Sequence, residues 1–375
     1  MHPPVDVATL SAPAQKILDP SSPAPLRQMA AKGIAPGLKP GDAITVVALL
    51  AESEDAGLAA AAKATLDRLP APLLNGALGS GLPAGVIDVL ARRYATNAVV
   101  MEKMLSLQSI ALSTVVDVAA LADEAVAELI AINEERMLKE PAIIEKLYMN
   151  KRTRMSTADR VLELAVRNHL ELHGIPAFKE AAAAIVNELI AEPSAEPTPD
   201  DVMFKELDDL AGATDFDASV EDTHQMDEAT GEEVVDPKFL PIHAQLAQMT
   251  ISQRIRRAML GTPGERNLLV RDRNRLVAAA VVRSPMIQEN EIVRISANRN
   301  VSDDVLRIIA NDKQWSSSHQ IKLNLVTNPR CPITFSAKLL PHLREHELKA
   351  LAKSKNVTGA IAKMAKQTLQ RRGVL

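Results

Sequence analysis

The stretch ENEIVRISANRNVSDDVLRI, residues 289–308, returns as EHELKALAKSKNVTGAIAKM, residues 345–364. The two copies begin 56 residues apart and a weaker copy lies between them, so the period is 28 residues. Asn300, Asn328 and Asn356 mark one phase of this repeat. A fixed period of this length predicts stacked supersecondary units rather than one globular core.

Apolar residues stand five positions before and five positions after each of these asparagines. The preceding set, which we expect to lie in the core, is Ile295, Leu323 and Leu351. The following set is Val305, Ile333 and Ile361. Each asparagine is expected to end one helix and to satisfy carbonyl or amide groups of the loop before the next helix begins.

Residues that favour the start of a helix follow the asparagines. Ser302 provides a hydroxyl cap before two acids, which suit the positive end of a helix dipole, and Thr358 takes the equivalent place. In the middle copy Pro332 opens the next helix. We therefore predict an all-α fold, an α-solenoid of short antiparallel helix pairs in two arcs separated by a disordered acidic linker.

Changes in composition divide the chain into four predicted parts. Residues 1–41 hold eight prolines and indicate a flexible leader. Residues 42–191 carry helical periodicity and form the predicted N-terminal helical repeat domain. Residues 192–236 predict a disordered acidic linker, because they offer too little apolar surface to offset chain entropy. Within the linker, Val202, Phe204, Leu207 and Leu210 predict a short docking helix over Val202–Leu210. Residues 237–375 form the predicted basic C-terminal helical repeat domain.

The net charge of −4 conceals a strong separation of charge along the chain. Residues 192–236 hold 16 Asp and Glu against one Lys, a balance of −15. Residues 237–375 hold 24 Lys and Arg against 9 acids, a balance of +15. We call these two regions the acidic segment and the basic arm. Their opposite charges predict an intramolecular contact in which the acidic segment masks the basic arm.

Three phrases of the repeat carry a family resemblance: Ile295-Ser-Ala-Asn-Arg-Asn-Val-Ser302, Leu325-Val-Thr-Asn-Pro-Arg-Cys-Pro332 and Leu351-Ala-Lys-Ser-Lys-Asn-Val-Thr358. They resemble units of the leucine-rich repeat variant, helical repeats related in shape to HEAT repeats. The segment Ala48–Leu69 is more similar to a HEAT unit. The resemblance covers about residues 270–370 and single units within 42–190. It implies an α-solenoid that binds partners, and it specifies no partner. Some relatives carry a cysteine-ligated iron–sulfur cluster, which the single cysteine here does not support.

Composition excludes several classes of site. Aromatic residues make up only 2% of the chain, which argues against pockets that stack nucleobases or sugars. Cys331 is the only cysteine and excludes an internal disulfide or an all-cysteine metal site. The sequence predicts no membrane span, no signal peptide and no cofactor. We expect a cytoplasmic protein.

The motif His342-Leu-Arg-Glu-His346 matches the H-x-x-E-H pattern, in which two histidines bind zinc and the glutamate acts as a base. However, Pro341 places the motif at a helix boundary, and Glu345 occupies the repeat position of Glu289. We favour a solvated helix start over a metal site.

Two further motifs have similarly simple interpretations. His169 and His173 are four residues apart before Gly174, where the helix dipole favours histidine, with a metal pair as the alternative. Gly79-Ser-Gly-Leu-Pro83 is a turn rather than a phosphate loop, because no strand precedes it and no Gly-Lys-Ser/Thr follows. We expect no catalytic residue and no metal ligand in either motif.

The cations of the basic arm carry the main functional hypothesis. A solvated helix face is the simple interpretation, and an anionic partner is the functional one. The candidate partner-binding residues are Arg254, Arg256, Arg257, Arg271, Arg273, Arg275, Lys349, Lys353, Lys355, Lys363 and Lys366.

The leading hypothesis is a non-enzymatic α-solenoid scaffold that binds a protein partner through its repeat surface. The alternative is a nucleic-acid-binding helical repeat protein that uses the basic arm against phosphates. A DNA glycosylase of this shape would need aromatic residues on its concave face, and Trp315 is the only tryptophan of the chain. An enzyme of another type stays open, because helical repeats host active sites at loop edges in some proteins.

Overall fold

The structure, a computed structural model, describes residues 3–186, 188, 190, 192–214, 222–226, 233–354 and 356–374. Over these residues the fold is all-α, as predicted, with 24 α-helices and two three-residue strands. The helices are α1 Ala12–Leu18, α2 Ala24–Ala31, α3 Pro40–Leu50, α4 Ala56–Leu66, α5 Ala71–Leu78, α6 Ala84–Arg93, α7 Ala98–Leu105, α8 Leu112–Leu121, α9 Glu124–Ala131, α10 Glu134–Lys139, α11 Ala142–Met149, α12 Met155–Arg167, α13 Phe178–Ile185, α14 Pro199–Ala213, α15 Leu240–Gln248, α16 Ile251–Leu260, α17 Pro263–Leu269, α18 Arg275–Val282, α19 Glu289–Ala297, α20 Asp303–Asn311, α21 His319–Thr327, α22 Ile333–Leu339, α23 Glu345–Lys353 and α24 Gly359–Arg371.

Short elements complete the described chain. Strand β1 His224–Met226 pairs antiparallel with β2 Glu233–Val235, with His224 opposite Val235. We call this strand pair, together with Asp222 just before it, the hairpin. Four segments form single 3₁₀ turns: Val7–Thr9, Pro237–Phe239, Trp315–Ser317 and Leu340–His342. No helix among the described residues is long and apolar enough to cross a membrane.

The chain divides into two compact units, residues 1–165 and 166–375. The boundary lies inside α12, so the domain boundary predicted between residues 191 and 192 falls within the second unit. In both units a helix contacts the helix two positions further along the chain. Examples are α6 with α8 in the first unit, and α16 with α18 and α19 with α21 in the second. Stacked helix pairs produce this pattern of contacts. The solenoid arrangement itself stays a prediction.

A buried asparagine links neighbouring repeats at the end of α21. The Asn328 side chain accepts a hydrogen bond from the Arg330 backbone N–H at 3.0 Å, which closes the turn. Its Nδ2 donates to the carbonyl oxygens of Ser296 and Asn298, at 3.0 and 2.9 Å, where α19 ends. This is the role predicted for the repeated asparagine: it ends one helix and satisfies the carbonyl groups of another.

The first unit uses the same device. At the end of α11, Asn150 accepts from the Arg152 backbone N–H at 3.0 Å, and its Nδ2 donates to the carbonyl oxygens of Ala119 and Ala122 at 3.0 and 2.8 Å. Ala122 is the C-cap residue of α8. The first unit therefore contains a repeat junction of the same construction, although its sequence carries no clear 28-residue period.

The structure corrects the register predicted for the middle repeat. The residues that end α19, α21 and α23 are Asn298, Asn328 and Ser354, so the spacings are 30 and 26 residues rather than 28 twice. Leu325 therefore takes the position predicted for Leu323, and it is fully buried, whereas Leu323 is only partly buried.

The other members of the predicted core follow the same shift. Ile295 and Leu351 are buried as predicted, as are Val305 and Ile361. Ile333 is 48% exposed, because it is the first residue of α22 rather than the third. The apolar phase is thus correct in the outer copies and wrong by two residues in the middle copy.

Two regions expected to be flexible contain helices. In residues 1–41, α1 and α2 bury Ala14, Ile17 and Ala30 and contact α3 and α4. In the acidic segment, α14 runs over 15 residues, longer than the docking helix predicted over Val202–Leu210. Disorder was predicted there from low hydrophobicity, but three apolar residues spaced for one helix face are buried: Phe204, Leu207 and Ala211. The rest of that segment includes residues 215–221 and 227–232, which lie outside the described part of the chain.

Candidate functional site where the acidic segment meets the basic arm

The start of α14 is fixed by its own sequence. Thr198 accepts a hydrogen bond from the Asp201 backbone N–H, and the Asp201 side chain accepts one from the Thr198 backbone N–H, at 3.2 and 2.8 Å. Pro199 occupies the first helical position, where it leaves no further N–H without a partner. This reciprocal capping sets where the apolar residues of α14 point.

Phe204 of α14 faces two arginines of the basic arm. The guanidinium carbons of Arg256 and Arg257 lie 5.1 and 4.8 Å from the centre of the Phe204 ring. Both arginines are essentially inaccessible to solvent, at 0% and 1% exposure. A cation over a desolvated aromatic face is attracted by the electrons of the ring, so this contact holds α14 against α16.

Carboxylates on two sides neutralise Arg257. Asp208 of α14 accepts a hydrogen bond from Arg257 Nη1 at 2.9 Å, and Glu265 of α17 accepts one from Arg257 Nε at 2.6 Å. The second Glu265 oxygen accepts the backbone N–H of Thr262 at 2.7 Å and so caps α17. Glu265 is fully buried, and its pairing with Arg257 is what makes the burial of either charge tolerable.

The same construction recurs at two other helix starts. Glu291 caps α19 through the Gln288 backbone N–H and receives Arg266 in two parallel hydrogen bonds of 2.9 Å. Glu347 caps α23 through Arg344 and contacts His319 Nε2 at 2.7 Å. Burial acts to raise the pKa of Glu347, but the Arg344 N–H and His319 outweigh it and hold the pKa below its ordinary value. The glutamates repeated in the sequence are therefore structural.

A second contact joins the hairpin to the basic arm. Arg271 bonds to both oxygens of Asp222 at 3.2 Å and forms an ion pair with Glu233 of β2 at 2.8 Å. Asp222 also accepts from the Asn267 side chain at 2.9 Å, and Glu233 from that of Asn300. The Arg271 side chain is only 9% exposed. Two carboxylates of the acidic segment thus cover one arginine of the arm.

The strand next to this contact carries a histidine with a shifted pKa. Burial of His224, followed by the positive charge of Arg271, lowers its pKa to about 4. Glu233 and Asp222 act in the opposite direction, and His243 acts in the same direction as Arg271. His224 is therefore neutral at neutral pH in the folded chain.

The candidate cations of the basic arm separate into two classes. Arg254 pairs with Asp272 at 2.5 Å, and Arg256, Arg257 and Arg271 are held as described above. The exposed candidates are Arg273, Arg275, Lys349, Lys353, Lys363 and Lys366. Lys355 lies outside the described residues. Sequence alone could not separate these classes, because a structural and a solvent-facing arginine look the same until their carboxylate partners are placed.

Comparison with protein-family models, with curated proteins and with solved structures gives no match.

The histidine motifs lie at helix ends. His342 belongs to a 3₁₀ turn and His346 to α23, so the two do not share a helix. His169, which follows α12, has a positive φ of 55°. Among the described residues no three His, Cys, Asp or Glu side chains come together as metal ligands would.

The remaining sequence candidates are structural in their placement. Burial raises the pKa of the Cys331 thiol, which is the opposite of what a reactive cysteine needs. The Gly79–Pro83 stretch joins α5 to α6, and Gly81 has a φ of 75° there. Trp315 lines a cavity of about 500 Å³ with Arg283, Asn311 and Asp312. No pattern in the sequence indicates this cavity.

Proposed function

We propose that the chain is a non-enzymatic helical repeat protein that binds a protein partner through the exposed cations of the basic arm. The acidic segment masks part of this arm until the partner binds. The observation that supports the proposal is the double contact in the second unit, where Asp208 holds Arg257 and both Asp222 and Glu233 hold Arg271. A tethered polyanion that already engages the arm marks it as a surface for anionic ligands.

The repeated helix junctions favour a binding role over catalysis. Asn150 and Asn328 fix neighbouring helices to each other in the two units, and such repeats present rigid, extended surfaces. Because of these junctions, we propose for this chain the partner-binding role that the resemblance to leucine-rich repeat variant and HEAT-like proteins implies.

Affinity capture with the intact chain tests the proposal. We expect a stoichiometric protein partner, and we expect the partner to be lost when six exposed cations are reversed to Glu. The substituted residues are Arg273, Arg275, Lys349, Lys353, Lys363 and Lys366. A matched control reverses six exposed cations of the first unit, which changes the net charge equally: Lys32, Lys63, Arg68, Lys146, Lys151 and Arg152. Recovery of no partner, or equal loss in both variants, would contradict the proposal.

Nucleic acid is the second candidate ligand, because six of the candidate cations are exposed. The pairing of Arg254, Arg257 and Arg271 with carboxylates leaves fewer free charges than the sequence suggests, which favours a protein partner. A mobility shift on duplex DNA at two salt concentrations separates the two. Binding that falls steeply with salt would support phosphate contacts, and no shift at low salt removes this candidate.

A further inference from the structure

Helix α14 contacts the basic arm of its own chain in the way that a bound peptide helix contacts a protein. It begins at its own capping box, and residues 192–197 before it are exposed and include two prolines. Its contacts with the arm come from one face: Phe204 and Leu207 are buried, whereas Val202 on another face is 46% exposed. A helix attached through a few anchor residues on one face is the usual form of a helix bound in a groove.

On the surface beneath α14, the orientation of Arg257 is set by residues outside α14. Glu265 binds Arg257 Nε, and α17 holds Glu265 through the Thr262 backbone N–H. The guanidinium group is therefore fixed from the α17 side, and it offers Nη1 and its face toward α14. A site whose charged group is already oriented loses little entropy when a ligand binds.

We propose that this surface is a recognition site for an acidic amphipathic helix of a partner protein, which takes the place of α14. The proposal rests on the proposed function in one respect, the existence of a protein partner, and adds the chemistry by which that partner is recognised. The partner helix carries an aromatic residue, a leucine three residues later and a carboxylate four residues later. These match Phe204, Leu207 and Asp208 on the ring-stacking, apolar and ion-pairing parts of the site.

Competition by α14 sets the affinity that the experiment must resolve. If the tethered helix presents itself at an effective concentration of about 1 mM, a peptide with a Kd of about 10 μM for the empty site binds the intact chain ~100-fold more weakly. The full-length chain with F204A and L207A empties the site, and V202A, on the exposed part of α14, is the matched control. The probe is a fluorescent peptide of residues 196–214, followed by anisotropy.

We expect the emptied chain to bind the peptide and the intact and V202A chains to bind it about 100-fold more weakly. Specificity is tested with substitutions in the peptide rather than in the protein. Substituting buried Arg257 would leave Glu265 unpaired in the folded chain. A peptide with Phe204→Ala and a scrambled peptide of equal charge should both fail. Trp315 fluorescence and circular dichroism establish that the emptied chain is folded. A folded, emptied chain that binds native and scrambled peptides alike, or neither, overturns the site.

A separate measurement tests whether the partner protein binds at the site of α14. A protein captured by the emptied chain must be released by excess peptide 196–214. A captured protein that the peptide does not release overturns the partner assignment and leaves the proposed function standing. If capture recovers no protein, the proposed function fails together with the partner, while the peptide measurement still decides the site. An intact chain that is dimeric in solution and becomes monomeric with F204A and L207A would assign the site to a second copy instead.

Discussion

Single buried polar residues hold the repeat junctions together. Asn328 is 4% exposed, and its side chain makes three hydrogen bonds, one within its turn and two to the end of α19. An alanine at this position would leave the carbonyl oxygens of Ser296 and Asn298 without these partners in a buried place. Unsatisfied buried polar groups cost more than the hydrogen bond itself contributes.

Replacing Asn328 with Ala should therefore lower the free energy of unfolding of the second unit by about 1–3 kcal/mol. Ser354→Ala is the control, because Ser354 accepts the equivalent turn bond from Asn356 without an amide that reaches a neighbouring helix. Urea unfolding followed by the fluorescence of Trp315, the only tryptophan and a residue of the second unit, measures both. Equal losses in the two variants would show that the bonds to α19 contribute nothing.

The corrected register gives a second prediction. Leu325→Ala removes a fully buried side chain and should cost about 2–5 kcal/mol, as should truncation of Ile295 or Leu351. Leu323→Ala, two residues away on the same helix, should cost clearly less because Leu323 is only partly buried. The same urea titration compares them. A larger loss for Leu323 than for Leu325 would restore the 28-residue register.

The register shows what a sequence period can and cannot predict. The spacing of Asn300, Asn328 and Asn356 is equal, but the residues at the structural turn are Asn298, Asn328 and Ser354. Asparagine and serine both close such a turn, and a longer loop before α21 moves the middle helix by two residues. A period averages over such shifts, so it predicted the all-α fold and the outer copies correctly and misplaced the middle helix.

At the scale of elements, apolar spacing predicted the part of α14 over Val202–Leu210, whereas the full length of α14 and the hairpin could not be predicted from composition. Their acids suggested a disordered chain, because charge repulsion and low hydrophobicity oppose folding of an isolated segment. In the folded chain the arm supplies Arg257 and Arg271, which neutralise Asp208, Asp222 and Glu233. Asp208 and Asp222 each pair with an arginine 49 residues later in the chain. A local sequence pattern does not contain these pairings.

The hairpin should respond to acid through His224. In the folded chain its pKa is about 4, below its ordinary value of 6.5, so the undocked hairpin binds the proton more readily. By linkage, docking is unaffected above about pH 6.5 and weakens as the pH falls from there toward 4.

Histidine NMR across pH 3.5–8 measures this on the intact chain, where about 6.5 is the ordinary midpoint. The signal of His224 should titrate near 4, and near 6.5 in the R271Q variant if loss of the Arg271 contacts releases the hairpin. Arg273→Gln, an exposed neighbouring cation, is the control and should leave the titration unchanged. A His224 midpoint close to 6.5 in the intact chain would contradict the docked hairpin.

At the scale of the whole molecule, the opposed charges of the two regions, −15 and +15, meet at defined points. Ion pairs between exposed side chains would contribute little to such a contact. Arg257 is instead buried beneath the acidic segment, and the side chain of Arg271 is only 9% exposed. Salt should therefore weaken this masking less than it weakens the attraction of an external polyanion.

Heparin binding tests whether this placement matters. The triple variant D208N, D222N and E233Q removes the three carboxylates that hold Arg257 and Arg271 while keeping α14 and its apolar contacts. The control E192Q, E196Q and D209N removes three exposed acids of the same segment, so net charge changes equally. If the segment masks the arm, the first variant should bind heparin more tightly than the control at low salt, and their affinities should converge as rising salt shortens the Debye length below about 8 Å. Deletion of residues 192–236 should have the same direction, although it also uncovers the apolar surface beneath Phe204 and Leu207. Equal heparin affinities of the two triple variants at low salt would mean that only the total charge matters, and the acidic segment would then be a spacer rather than a mask.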